Sequence, residues 1–157
     1  MKFENFEDLD IPREAAFDML SEFTFFERMA LRRGAEVVRN NPEVENGIGA
    51  AWDLNIPWRG KTVKMAVNVS RFERPEALGF FAEAPAIQVD LDIELVALSN
   101  TKTRMILQSD LSAKTLTGRL LLQSVKLTRG KVEKRMAKRI AEQSRNLEER
   151  YRKTYAV

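Results

Sequence analysis

The spacing of apolar residues near the N-terminus predicts two short helices in series. Ala16, Phe17 and Leu20 recur at three- and four-residue spacing, which gives a helix one apolar side. Thr24 and Glu27 then have the Thr-x-x-Glu spacing of a capping box, in which both side chains satisfy backbone groups at a helix start. A second short helix is therefore expected to begin there, after a first strand over about residues 3–9.

From about residue 35 the period of the apolar residues changes to two, which is the period of a half-buried strand. Six segments show this alternation or a short β-like composition: AEVVRN, IGAAWDLNIPW, KTVKMAVNVSRF, ALGFFAE, AIQVDLDIELVAL and TRMILQSDLSA. Short turns separate them, and a parallel pair would need a crossover of a dozen or more residues. With the first strand, the pattern predicts an antiparallel sheet of about seven strands with one apolar face.

The helical period returns at about residue 117. Leu121, Val125, Val132 and Met136 begin an apolar stripe that can continue for some 35 residues, and Gly130 is a candidate bend. The order of elements predicts an α+β protein in which the sheet buries its apolar face against this long C-terminal helix.

Composition limits the class of protein. With 157 residues, 44% hydrophobic and 31% charged, the sequence predicts one domain over residues 1–157. No apolar run approaches the roughly 20 residues of a membrane-spanning helix. The acidic start, MKFENFEDLD, lacks the pattern of a secretory signal, so a cytoplasmic location is predicted.

Two residue types that carry much of enzyme chemistry are absent. Without cysteine or histidine, the chain has no Ser-His-Asp triad, Cys-His pair or histidine-based metal site. The acidic residues of the DLD segment alternate with apolar ones and lack a calcium-binding loop. No cofactor and no metal are predicted, and proton transfer would depend on carboxylates, Lys, Tyr or Arg.

Positive charge is concentrated near the C-terminus. Residues 114–157 contain thirteen basic and four acidic side chains, although the whole chain has a formal net charge of +3. Lys134, Arg135, Lys138 and Arg139 recur at four-residue spacing. This pattern is typical of a solvated helix face, and it also suits contact with an anionic membrane. Nucleic acid is not expected as a partner, because no aromatic residues are interleaved with the cations.

The stretch DIPREAAFDMLSEFTFFERM, together with the element order, resembles the SRPBCC superfamily, also called START-like or birch-pollen-allergen-like, and within it the polyketide cyclase/dehydrase-like branch. Ile11, Pro12, Phe17 and Leu20 match the family's opening motif, whereas a phenylalanine of the second helix stands where tryptophan is usual. The resemblance implies a helix-grip fold, with a ligand cavity between the sheet and the C-terminal helix.

Candidate site residues follow from this resemblance and from the strand alternation. The predicted ligand-binding residues are Trp52, Trp58, Met65, Val67, Arg71, Phe80, Leu91, Ile93, Met105, Leu107, Ser109, Leu121 and Val125. The predicted lid residues are Phe17, Leu20, Phe25, Phe26 and Met29. The two tryptophans and Ser109 also suit a simple core role. Arg71 is in phase with the apolar face, where it would meet a ligand carboxylate or else reach solvent.

The expected function is therefore the binding of a small hydrophobic molecule without catalysis. Two alternatives remain open. One is an enzyme similar to polyketide cyclases and aromatases, with Arg71 or a carboxylate transferring protons. The other is a peripheral-membrane accessory protein, similar to the carbon monoxide dehydrogenase accessory subunit, that docks through the basic helix.

Overall fold

The computed structural model describes residues 1–44 and 47–155. Its elements, in chain order, are β1 (Lys2–Leu9), α1 (Arg13–Leu20), α2 (Phe23–Arg32), β2 (Glu36–Arg39), β3 (Ala51–Trp58), β4 (Lys61–Glu73), β5 (Ala77–Glu83), β6 (Ile87–Ala97), β7 (Thr103–Ala113), α3 (Leu116–Leu127) and α4 (Arg129–Tyr155).

All seven strands form one antiparallel sheet in the order β1-β7-β6-β5-β4-β3-β2. The sheet curves beside the C-terminal helix, and the two short helices follow the first strand, so the predicted helix-grip fold is confirmed. The alternation of apolar and polar residues also predicts correctly which side chains face inward at the centre of the sheet. There Ile93 lies between Leu78 and Leu107 on the two neighbouring strands. The outer face of β6 carries the acidic residues that alternate with these apolar ones.

The core joins α1 to the inner face of the sheet. Phe17 of α1 is completely buried, and its ring meets that of Phe72 edge-on, with ring centroids 5.0 Å apart. Nearby, the buried Thr103 hydroxyl donates a 2.7 Å hydrogen bond to the carbonyl of Ile11. Because both groups are buried, this bond satisfies backbone that would otherwise lack a partner.

The predicted capping box at the start of α2 is wrong. The helix begins at Phe23, before Thr24, and the side chain of its N-cap residue, Glu22, makes no capping hydrogen bond. Glu27 instead accepts a 2.8 Å hydrogen bond from the indole N–H of Trp52. The tertiary contact with β3 therefore replaces the local bond that the spacing suggested.

A β-bulge in β4 reverses the alternation that placed Arg71 on the inner face. Val69 pairs with Phe80 but Arg71 pairs with Gly79, so Ser70 is an extra residue in β4. An extra residue turns the following side chains to the opposite face of the sheet. Arg71 is therefore on the outer face.

The C-terminal helical segment is divided at Thr128, two residues before the predicted bend at Gly130. Thr128 has φ −111° and ψ 24° and ends α3. Its N–H still donates to the carbonyl of Ser124 (3.2 Å), and its carbonyl accepts from the N–H of Val132 (3.1 Å). Hydrogen-bonded turns thus continue on both sides of the junction.

The start of α3 is held by a cap and by a close backbone contact. The Thr115 hydroxyl accepts a 3.1 Å hydrogen bond from the N–H of Gly118. Gly118 packs so closely against Ala86 that a Cβ atom there would overlap the Ala86 carbonyl oxygen. That oxygen also accepts a 2.8 Å bond from the N–H of Lys114.

Buried Glu148 fixes the second half of α4 to the other end of the chain. Its carboxylate accepts a 2.7 Å bond from the N–H of Asp10 and lies 3.0 Å from the guanidinium of Arg145. Leu147, beside it, belongs to the core. The cavity-facing part of α4 is therefore anchored next to the β1–α1 connection.

Within the described ranges, no helix is both long and apolar enough to cross a membrane.

Candidate functional site

A cavity of about 450 Å³ lies between the inner face of the sheet, α2 and the C-terminal half of α4. Its sheet wall contains seven of the residues that the sequence pattern proposed as ligand contacts. They are Trp52, Val67, Phe80, Leu91, Ile93, Met105 and Leu107. The sheet also supplies Leu54, which lies on the same face of β3 as Trp52.

The helices close the cavity from the other side. From the predicted lid, Leu20, Phe25 and Phe26 line it. Phe17 does not, because it is completely buried in the core, and Met29 is not among the lining residues either.

Phe23 is a lining residue that the sequence reasoning missed. Its ring meets that of Trp52 edge-on at 5.1 Å and that of Phe80 at 6.3 Å. Its position directly after the α1–α2 turn gave no periodic signal, since α2 was expected to start one residue later.

Three other predicted contacts on the inner face are not brought to the cavity. Trp58 is at the end of the β3–β4 hairpin, 48% exposed, with the Arg59 guanidinium 4.7 Å from its ring centroid. Met65 and Ser109 are partly buried on strands whose neighbouring residues do reach the cavity. The inner face of the sheet therefore extends beyond the cavity.

Leu121 and Val125 also lie away from the cavity. Both belong to α3, whereas the described lining residues from the C-terminal helical segment all belong to α4. Leu121 and Val125 precede the division at Thr128, and the cavity borders the part of the segment that follows it. The α4 residues Ile140 and Leu147 take that place instead.

Arg71 contacts acidic side chains on the outer face. Its guanidinium lies 3.0 Å from Asp92 and 3.0 Å from Glu73, with Glu94 at 3.7 Å. The hydrogen bonds to Glu73 and Asp92 raise the pKa of Arg71 above its already high ordinary value. The residue is a permanent cation in a surface ion-pair cluster, and it cannot serve as a proton donor or ligand anchor in the cavity.

Few polar groups face the cavity, and one of them is a buried hydroxyl. Ser144 of α4 lines the cavity and is only 1% exposed. Among the described residues, its Oγ atom has no hydrogen-bond partner. An unpaired buried hydroxyl costs free energy, and a turn of this short side chain about its Cα–Cβ bond would bring the atom, which is almost inaccessible in the structure, to a polar group of a ligand.

Charged groups stand at the part of the cavity formed by α2 and α4. Arg150 lies 2.8 Å from Glu22, and its guanidinium is 3.5 Å from the ring centroid of Phe25. The Arg139 side chain also lines the cavity, and it makes no ion pair or hydrogen bond with any residue that the structure describes. Glu27 is the only acidic lining residue in the described chain, and its bond to Trp52 orients both side chains.

The four basic residues proposed for membrane contact divide into two groups. Lys134, Arg135 and Lys138 are exposed on α4 and do not line the cavity, whereas Arg139 is exposed and also lines it.

No cluster of acidic side chains in the described ranges could hold a metal ion.

Comparisons with known proteins identify the fold. No family model and no curated protein matches the sequence. Among solved structures, an aromatase/cyclase from Streptomyces sp. R1128 superposes with a TM-score of 0.64 at 13% identity, covering 99% of this chain and 97% of that one. Ara h 8.0201 superposes with a TM-score of 0.57 at 14% identity, covering 90% and 98% of the two chains. A START superfamily protein from Mycobacterium smegmatis gives 0.52 at 12%, covering 85% and 95%.

These similarities extend over most of each chain, so the resemblance to the SRPBCC superfamily is confirmed at the level of the fold. At this identity they carry no information about individual site residues. The chemistry of the cavity has to be argued from the residues of this chain.

Proposed function

We propose that this chain, which has the helix-grip fold of the SRPBCC superfamily, binds a small hydrophobic molecule that carries one polar group. The observation that supports the proposal is the cavity of about 450 Å³, with apolar side chains on its sheet wall and the buried, unpartnered hydroxyl of Ser144 on its helix wall. Its volume falls in the range typical of small-molecule sites, about 300–1,000 Å³.

Apolar burial would supply most of the affinity. Transfer of apolar surface from water contributes about 25 cal/mol per Å², without any directional requirement. Walls formed by Leu91, Ile93 and Leu107 therefore accept a range of apolar shapes. Selection among ligands then depends on the few polar groups.

Ser144 is one group that can orient the ligand, once its hydroxyl turns toward the cavity. A carbonyl, hydroxyl or carboxylate that reaches its Oγ atom would satisfy a buried hydroxyl that has no partner among the described residues. Such a bond contributes about 0.5–1.5 kcal/mol. Arg139, also in the cavity lining, would favour a ligand whose polar group is anionic.

The proposal can be tested by titration with cis-parinaric acid, a fatty acid that fluoresces when it is taken into an apolar site. At about −0.3 kcal/mol for each of its roughly 20 heavy atoms, the expected binding free energy is about −6 kcal/mol, a Kd of tens of micromolar. Competition with palmitate, hexadecanol and hexadecane, which end in a carboxylate, a hydroxyl and a methyl group, then measures how much the polar group of a ligand contributes to its affinity.

We expect all three competitors to displace the probe, with hexadecane the weakest. In the Ser144→Ala variant the ratio of the affinities for hexadecanol and hexadecane should fall to about a fifth or less of its value in the intact chain, because the serine hydroxyl is gone. Absence of probe binding, or a signal that no competitor reduces, would contradict the proposal.

A second candidate is a cyclase-like enzyme, which the Streptomyces aromatase/cyclase similarity favours together with Glu27 in the cavity wall. A carboxylate within reach of a bound polyketide chain can accept and return a proton. With a poly-β-ketone thioester as substrate, we expect Glu27→Gln to lower turnover by about 100-fold, in line with the usual contribution of general acid–base catalysis.

The Arg71→Gln variant is the matched control for this assay, since Arg71 lies on the outer face. It should leave turnover unchanged. If wild-type protein binds the thioester but releases no cyclised product, the chain is a binding protein and the enzyme candidate is excluded.

A further inference from the structure

Helix α3 has a second apolar side that faces away from the protein. Leu116, Leu120 and Leu127 are spaced four and seven residues apart, so they share one side of the helix. They are 72%, 58% and 88% exposed. The opposite side carries Gly118, which is packed against the β5–β6 connection, and half-buried Val125. The outward leucines, here called the leucine stripe, therefore cover no part of the described fold.

Lysines continue the spacing of the leucine stripe beyond the junction with α4. Steps of four, three and four residues from Leu127 lead to Lys131, Lys134 and Lys138, and the hydrogen bonds that Thr128 makes with Ser124 and Val132 join the two helices end to end. All three lysines are exposed, and none forms an ion pair with another residue in the described ranges.

Two further cations, Arg119 and Lys126, flank the leucine stripe on α3 itself. They are seven residues apart, on one edge of the stripe, and both are exposed without an ion pair among the described residues. No acidic residue occurs in α3. The stripe is thus an apolar surface with positive charge beside it and beyond its end.

We propose that this surface docks onto an anionic membrane. Exposed leucines with cations along one edge and beyond their end are the pattern of a helix that lies in a bilayer interface, with its apolar side among the acyl chains and its cations at lipid phosphates. A second copy of the chain would bring the same cations against each other, so charge complementarity favours lipid over self-association. This docking is independent of the cavity, which lies between the sheet, α2 and α4.

The test is sedimentation with phosphatidylcholine vesicles, with and without about 30% phosphatidylserine. The intact chain should bind the vesicles that contain phosphatidylserine at least tenfold more tightly than the neutral vesicles, and high salt should abolish this difference in affinity. The Lys134→Gln/Lys138→Gln variant should bind them roughly 30-fold more weakly, at about 1 kcal/mol for each cation. Leu120→Gln/Leu127→Gln should weaken binding by about tenfold or more.

Matched controls make the same changes elsewhere. Lys61→Gln/Lys64→Gln removes two exposed lysines at the β3–β4 hairpin, and Val96→Gln/Leu98→Gln removes two exposed apolar side chains near the end of β6. Both should bind like the intact chain.

Equal binding to neutral and anionic vesicles, absence of binding, or an equal loss in the controls would overturn the proposal. Sedimentation equilibrium of the same variants completes the test. If the leucine variant converts a dimer to a monomer while vesicle binding is unchanged, the stripe is a self-association surface and the proposal is wrong.

Discussion

Replacing Phe17 with alanine is expected to lower the free energy of unfolding by about 3–5 kcal/mol, as is usual for a buried phenylalanine. The side chain is completely buried, and its ring packs edge-on against Phe72. The variant would lose both this contact and the apolar burial that joins α1 to the sheet. Urea unfolding followed by circular dichroism measures the change.

Phe26→Ala is the matched control, since it removes the same side chain from the neighbouring helix. Phe26 is 39% exposed and lines the cavity, so we expect a loss of less than about 1 kcal/mol. Equal losses for the two variants would contradict the assignment of Phe17 to the core and of Phe26 to the cavity wall.

Leu107→Trp is expected to reduce the affinity for cis-parinaric acid by roughly 70-fold. The indole would occupy part of the cavity beside Leu91 and Ile93 and deny the ligand about 100 Å² of apolar contact, which corresponds to about 2.5 kcal/mol. The same fluorescence titration measures the loss, and a thermal melt establishes that the variant is folded.

Ile106→Trp makes a comparable insertion one residue earlier on the same strand. Ile106 pairs with Phe6, which is 63% exposed, so the new indole would lie on the outer face of the sheet. Its affinity for the probe should be unchanged. If both tryptophan variants bind weakly, the loss reflects a disturbed β7 and not a filled cavity.

Much of the sheet was predictable because its strands have one buried face. The AIQVDLDIELVAL segment became β6, with Ile93 and Leu95 buried and Glu94 exposed between them. Alternation of this kind results from burial of alternate side chains, so the sequence records it directly. Short connections then required antiparallel neighbours, which the structure has throughout.

The bulge at Ser70 was not predictable in this way. An extra residue changes which residues of the neighbouring strand are paired, but it leaves no mark in the composition of its own strand. By their spacing in the sequence alone, Val69 and Arg71 are therefore expected on the same face of the sheet. The division of the C-terminal segment has a similar cause. Periodicity identifies a helix but does not tell which of two successive helices reaches the cavity, so it predicts a cavity position for Leu121 that the structure does not give it.

The apolar part of the cavity wall was easier to predict than its polar part. Leu91 and Leu107 follow from strand alternation, whereas Ser144 is one small polar residue on an amphipathic helix. Nothing in the sequence indicates that its hydroxyl lies buried and without a partner among the described residues. The role of Glu27 was hidden for another reason, because its spacing from Thr24 suited a local cap equally well.

The contact between Gly118 and the Ala86 carbonyl has a consequence for how α3 meets other surfaces. Only a residue without a side chain permits so close an approach, and the hydroxyl of Thr115 closes the first turn beside it. The backbone of this helix is thus already ordered before any encounter. Its outward side chains would bind as part of a prefolded helix. Association would then avoid the loss of backbone conformational entropy that a disordered segment undergoes when it folds on binding.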